Sequence, residues 1–221
     1  MFSDQGWGLT GEAGVFADPF YSPGSDFIAL NNSFITKLIE NQSKGQDIRL
    51  ESRVYQSINQ SFFDSTLSLY TGQYGGFGDR QMMSLKLVWD YAYYWGVLSL
   101  LFFRSAMIDI PLMRTLNPKL TIAYKLNSHI QGLFRQRASL RISLPAQGLF
   151  MDQYQIPCLR YFNQILQATE TTDIQVLLGD NVNKLERIAV YVEQMLRPDA
   201  TLSVCSDEHD ILGDYRQCVL A

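Results

Sequence analysis

The residues best placed to do chemistry lie in "WGLTGEAGVFADPFYSPGSDFIALNNSFITKLI", residues 7–39. Gly11 closes a short apolar run, and a glycine there lets the backbone approach a bound group closely. Glu12, at the end of the same run, can accept hydrogen bonds from sugar-type hydroxyls. Further on, Pro23 and Gly24 stand directly before an apolar run with helical period. The first N–H groups of a helix have no partner inside it, and with the helix dipole they attract negative charge. The pattern suits a ligand that offers hydroxyls to one turn and negative charge to the next. No side chain stands out as a catalytic acid, base or nucleophile.

The elements that must position these residues follow from the periodicity. "WGLTG" predicts a short strand ending at Gly11. Phe27, Leu30, Phe34, Ile35, Leu38 and Ile39 recur at helical spacing from Asp26, with Ser25 or Asp26 as N-cap. A second helix is expected over 48–70, with Val54, Tyr55, Ile58, Phe62 and Leu69 on one face. "TGQYGGFGD" lacks the spacing and the GK[ST] of a phosphate-binding loop and reads as a hinge or tight crossing loop. A third helix is expected over 81–103, buried on most sides. "SAMIDIPLMRTLNP" reads as a connection in which Asp109 caps a first turn containing Pro111, and Pro118 ends it. Further helices are expected over 120–137, 155–168 and 174–196, and "SLRISLPAQG" has a strand-like flavour. The fold class is mainly α, a helical body with a short N-terminal α/β remnant. The expected division is 1–26, then 27–198, then a polar tail over 199–221.

"GEAGVFADPFYSPGSDFIA" resembles the second FAD-binding segment of the flavin-dependent monooxygenase and halogenase superfamily. Gly11, Glu12 and Ala13 fall on that family's Gly-Asp-Ala motif, with Glu12 where Asp is usual. Asp18 and Pro19 fall on its Asp-Pro step. Ser22, Pro23, Gly24 and Ser25 fall on the turn that faces the flavin ring. "LYTGQYGGFGDRQMMSLKLVWDYAYYWGVLSLLF" is similar to the helical region of the tryptophan-halogenase-like branch. The resemblance implies FAD as cofactor and an aromatic, pyrrole- or phenol-type small-molecule substrate. It implies a substrate pocket drawn from the aromatic group 89–95, with Trp89, Tyr93 and Tyr94 as its wall; packing in a core is the competing role for these rings. The family's N-terminal half, with its G-x-G-x-x-G fingerprint, has no counterpart in these residues. Nor has the halogenase branch's lysine in a Trp-rich motif; Lys86 does not match it. The implied protein is therefore the C-terminal portion of such an oxidoreductase, binding FAD only when a complementary N-terminal half is supplied, and inactive alone. The alternative is a non-catalytic helical module, a partner-binding protein or a relic that keeps the fold without the reaction. An uncovered N-terminal edge would also favour self-association.

Composition excludes several other classes. The 221 residues carry a net charge of -4 and 47% hydrophobic side chains, with no dense basic patch, which argues against nucleic acid. Cys158, Cys205 and Cys218 are few and widely spaced, and no secretory signal is visible, which favours a cytoplasmic setting. With His129 and His209 far apart, no metal site is expected. The run "LVWDYAYYWGVLSLLFF" contains Asp90 and Gly96 and reads as a buried helix, not a membrane span. Asp90 reads as half of a structural ion pair, and His129 as a helix-edge histidine.

Overall fold

In the computed structural model of the chain, residues 2–141, 152–167 and 173–196 are described. These residues are mainly helical: α1 is Pro23–Ser43, α2 Arg49–Leu67, α3 Arg80–Tyr93, α4 Leu100–Phe103, α5 Ile110–Ser139, α6 Pro157–Gln167 and α7 Ile174–Leu196. Two compact units divide the chain. The first comprises residues 1–70 and 105–114, the second residues 71–104 and 115–221.

In the first unit α1 and α2 pair through aromatic side chains at helical spacing. Phe34 stacks on Tyr55 with centroids 4.6 Å apart, and Phe27 meets Phe62 edge-on at 5.2 Å. Offset and edge-to-face pairs of this kind add about 0.5–1.5 kcal/mol to the burial of their area. The amide of Asn41 donates to Glu51 at the far end of the pair, and the Tyr55 hydroxyl donates to the Ile108 carbonyl at 2.9 Å.

The expected strand at "WGLTG" does not form. Among the described residues the N-terminal segment makes a single antiparallel bridge, Phe2 to Gly8, and Gly11–Ala13 winds into a 3₁₀ turn. Gly11 has φ +61°, which breaks an extended run, and no neighbouring strand offers a ladder. The α/β remnant is thus absent from the described fold. The first helix begins at Pro23, not at Ser25 or Asp26, because proline's fixed φ suits the first helical position.

In the second unit α3 runs through a π-turn, Tyr94–Ser99, into α4. Gly96 lies within it, and a Cβ there would stand 3.2–3.4 Å from the Phe162 ring of α6. The Asn181 amide of α7 donates to the Gly96 carbonyl at 2.8 Å. A widened turn frees backbone groups that neighbours then satisfy. The glycine-rich stretch is a tight crossing: a Cβ on Gly76 would collide with the Met82 sulfur, and one on Gly75 would reach 3.0 Å from the Ala138 carbonyl oxygen.

Asp109 caps α5, accepting from the Leu112 N–H at 2.9 Å. Pro118 does not end that helix. It is exposed, so its ring meets no packed neighbour and the carbonyl it leaves unbonded, that of Arg114, can be hydrated. Leu116, Ala123, Ile130 and Phe134 anchor the opposite face. Of the strand-like "SLRISLPAQG", residues 139–141 end α5 and form a turn and the rest lie outside the described residues, as does the polar tail. No helix among the described residues is long and apolar enough to cross a membrane.

Candidate functional site

The turn residues Gly11, Glu12, Ala13, Asp18, Pro19, Ser22, Pro23, Gly24 and Ser25 all belong to the first unit. They form two 3₁₀ turns, Gly11–Ala13 and Pro19–Tyr21, leading into α1. Gly11 is buried, and a Cβ on it would stand 3.1 Å from Cγ1 of Ile28. Its positive φ and its contact therefore account for the glycine without a ligand. Glu12 and Ala13 are exposed. Asp18 caps the second turn, accepting from the Phe20 N–H at 2.9 Å, and Pro19 opens that turn.

Ser22 joins the second turn to α1 in the left-handed region, φ 55° and ψ 43°. For a non-glycine residue this costs about 1–2 kcal/mol. In that conformation its side chain makes no capping bond, although serine is a good N-cap residue. Pro23 contributes no N–H. The N–H groups of Gly24 and Ser25 thus sit at the start of a 21-residue helix with no side-chain cap. Gly24 has an ordinary helical backbone, and a Cβ there would meet nothing within 4 Å. Among the described residues, neither packing nor conformation requires a glycine at this position. The acidic Asp26 in the same first turn partly offsets the positive end of the dipole.

The expected pocket residues lie in the second unit. Trp89 is fully buried and its indole N–H donates to Asn127 Oδ1 at 3.0 Å. Tyr93 is buried, and Tyr94 is half-buried at the start of the π-turn. Trp89 and Tyr93 are buried side chains, which fits the competing role of these rings in a packed core. The rings of 89–95 that reach the surface are on other faces: Tyr91 and Trp95 lie 5.1 Å apart, and Trp95 lies 6.4 Å from Tyr154.

A buried polar seam between α3 and α5 was only half legible from sequence. Lys86 Nζ and Asp90 Oδ2 lie 2.8 Å apart, one turn apart on α3 and nearly excluded from solvent. Gln131 of α5 completes the seam. Its Oε1 accepts from Gln73 at 2.8 Å and from Lys86 at 3.3 Å, while its Nε2 donates to Asp90 at 2.7 Å and to Asn127 at 3.2 Å. All four hydrogen-bonding positions of that amide are used. The ion pair is the structural one expected of Asp90; only the four-residue spacing of Lys86 and Asp90 in an apolar helix signalled it. Near the start of α3, Asp79 caps the helix and accepts from Arg137 at 2.6 Å. Lys86, Asp90 and Gln131 are paired with one another and nearly excluded from solvent, while Arg137 is only partly buried.

His129 is an exposed helix-edge residue 3.4 Å from Glu193. Burial pushes the Cys158 thiol up to about 12, which leaves it a poor nucleophile. Among the described residues no group of His, Cys, Asp and Glu could hold a metal ion. No protein-family model, curated protein or solved structure matches the chain.

Proposed function

We propose that the chain is the C-terminal portion of a FAD-dependent monooxygenase- or halogenase-like oxidoreductase and supplies the turn that faces the flavin ring. The observation that supports this is the start of α1: strained Ser22, N–H groups at Gly24 and Ser25 without a side-chain cap, and a glycine at 24 that nothing in the chain requires. Reduced flavin carries negative charge near N1 and the C2 carbonyl, and a helix N-terminus stabilises it there. Gly24 would let the ring approach the backbone. Glu12, exposed on the preceding turn, is the acceptor for a ribityl hydroxyl. The chemistry with oxygen belongs to the flavin when bound; this chain's part is to bind and orient it.

The sequence holds no G-x-G-x-x-G to cradle the diphosphate of FAD, so on this reading binding needs a complementary half that carries that fingerprint. The test is a FAD titration of the purified chain, alone and with the product of the coding region directly upstream. Alone, the chain is expected to be colourless and to leave flavin fluorescence unquenched. A tight, stoichiometric yellow protein from this chain alone would overturn the two-part reading.

A further inference from the structure

The first 36 residues contain Asp4, Glu12, Asp18 and Asp26 and no Lys or Arg; the first cation is Lys37. Of the chain's 22 acidic residues these are 4, leaving 18 acids against 18 Lys and Arg in the remainder. The N-terminal segment therefore carries a formal charge of -4, while residues 37–196 carry +3 and residues 197–221 carry -3. The same segment exposes large apolar side chains. Phe16 is 67% exposed and Trp7 56%, and Leu9, Phe20 and Ile28 are exposed as well. Ile28 packs beside Gly11, so the first turn and the first helical turns of α1 share one surface.

We propose that this acidic, aromatic N-terminal segment is a docking surface for another protein chain whose patch sets Lys or Arg around an apolar centre. Isolated exposed apolar residues are ordinary, but a concentration of them in one short segment marks an interaction site. The charge then selects the occupant. A second copy joined by a twofold axis would set the four carboxylates against themselves, and like charges facing each other are costly. The chain's own residues 197–221 hold five acids and two arginines and offer no excess of positive charge. A cationic partner gains attraction at contact and a faster encounter. The inference rests on exposure and charge alone and does not depend on flavin.

The experiment uses the full chain and three labelled helical peptides: amphipathic Leu/Arg, amphipathic Leu/Glu, and Ser/Arg without an apolar face. Affinity is read by fluorescence anisotropy. The Leu/Arg peptide is expected to bind at least about tenfold tighter than either control, since both apolar anchors and rim charges contribute. That preference should weaken between about 0.1 M and about 1 M salt as the Debye length shrinks. Phe16→Ser/Phe20→Ser and, separately, Asp4→Asn/Glu12→Gln should each lower the Leu/Arg affinity, with the helical circular dichroism unchanged. Equal binding of the Leu/Glu peptide, no binding at all, or insensitivity to both variants would overturn the proposal. So would a tight dimer in sedimentation that Phe16→Ser/Phe20→Ser abolishes.

Discussion

Two glycines of one turn region are glycines for different reasons. Gly11 answers to its own backbone and to Ile28; Gly24 answers to nothing inside the chain. Sequence alone gave both the same role, because a motif does not reveal which glycine has positive φ. Gly11→Ala is expected to lower stability by about 1–2 kcal/mol, the cost of a left-handed non-glycine residue, plus crowding of Ile28. Gly24→Ala is expected to leave the melting temperature unchanged or raise it, since alanine is the better helix former by about 1 kcal/mol. Thermal melts of the two variants check this; a Gly24→Ala protein as damaged as Gly11→Ala would mean that Gly24 serves the fold. Tyr55 gives a pH signature. Burial, with the Glu51 and Asp109 carboxylates nearby, pushes its phenol up to about 12, above the free value near 10. A raised folded pKa means a contribution fully present below about pH 10 and lost as pH rises through about 12. Tyr55→Phe lacks the bond to Ile108, worth about 1 kcal/mol, and also lacks that loss. The stability gap between wild type and Tyr55→Phe should therefore close over this range in denaturant midpoints; a gap that widens would contradict the assignment.

The helices were legible because apolar residues recur with helical period, and their types held even where their ends moved. Three features were not legible, for physical reasons. "WGLTG" alternates like a strand, but a strand needs a neighbour to bond, and Gly11 turns the chain first. Pro118 looks like a stop, but on an exposed face it removes only one bond from a helix anchored on the other side. The π-turn at Tyr94–Ser99 depends on Phe162 and Asn181, far away in sequence. The Lys86–Asp90–Gln131 seam is likewise a tertiary feature. Lys86→Met leaves Asp90 buried without its counter-charge and is expected to cost about 3–5 kcal/mol. Lys86→Met/Asp90→Leu should recover part of that loss, since no charge is then left buried. Denaturant midpoints of the single and double variants test this; a double variant with the sum of two separate losses would show that the pair does not act as a unit.

For the whole molecule, the uneven charge matters more than its total. A short N-terminal segment, residues 1–36, holds four acids and no Lys or Arg beside exposed aromatic rings. Composition already contained that fact, but only exposure made it a surface. An aromatic helix was readable at residues 89–95, while the burial of Trp89 and Tyr93 was not, because which side of the helix faces the core is set by tertiary packing. The central claim concerns the start of α1, and one measurement addresses it most directly. FAD affinity is compared for wild type and Gly24→Val, each combined with the proposed complementary half that would carry the dinucleotide fingerprint. The account predicts binding by wild type and affinity about tenfold to a hundredfold weaker for Gly24→Val, from loss of one charge-assisted hydrogen bond of about 1.5–3 kcal/mol, while both chains melt at similar temperatures. Equal affinity for the two would contradict it, because a turn that accepts valine does not lie against the flavin.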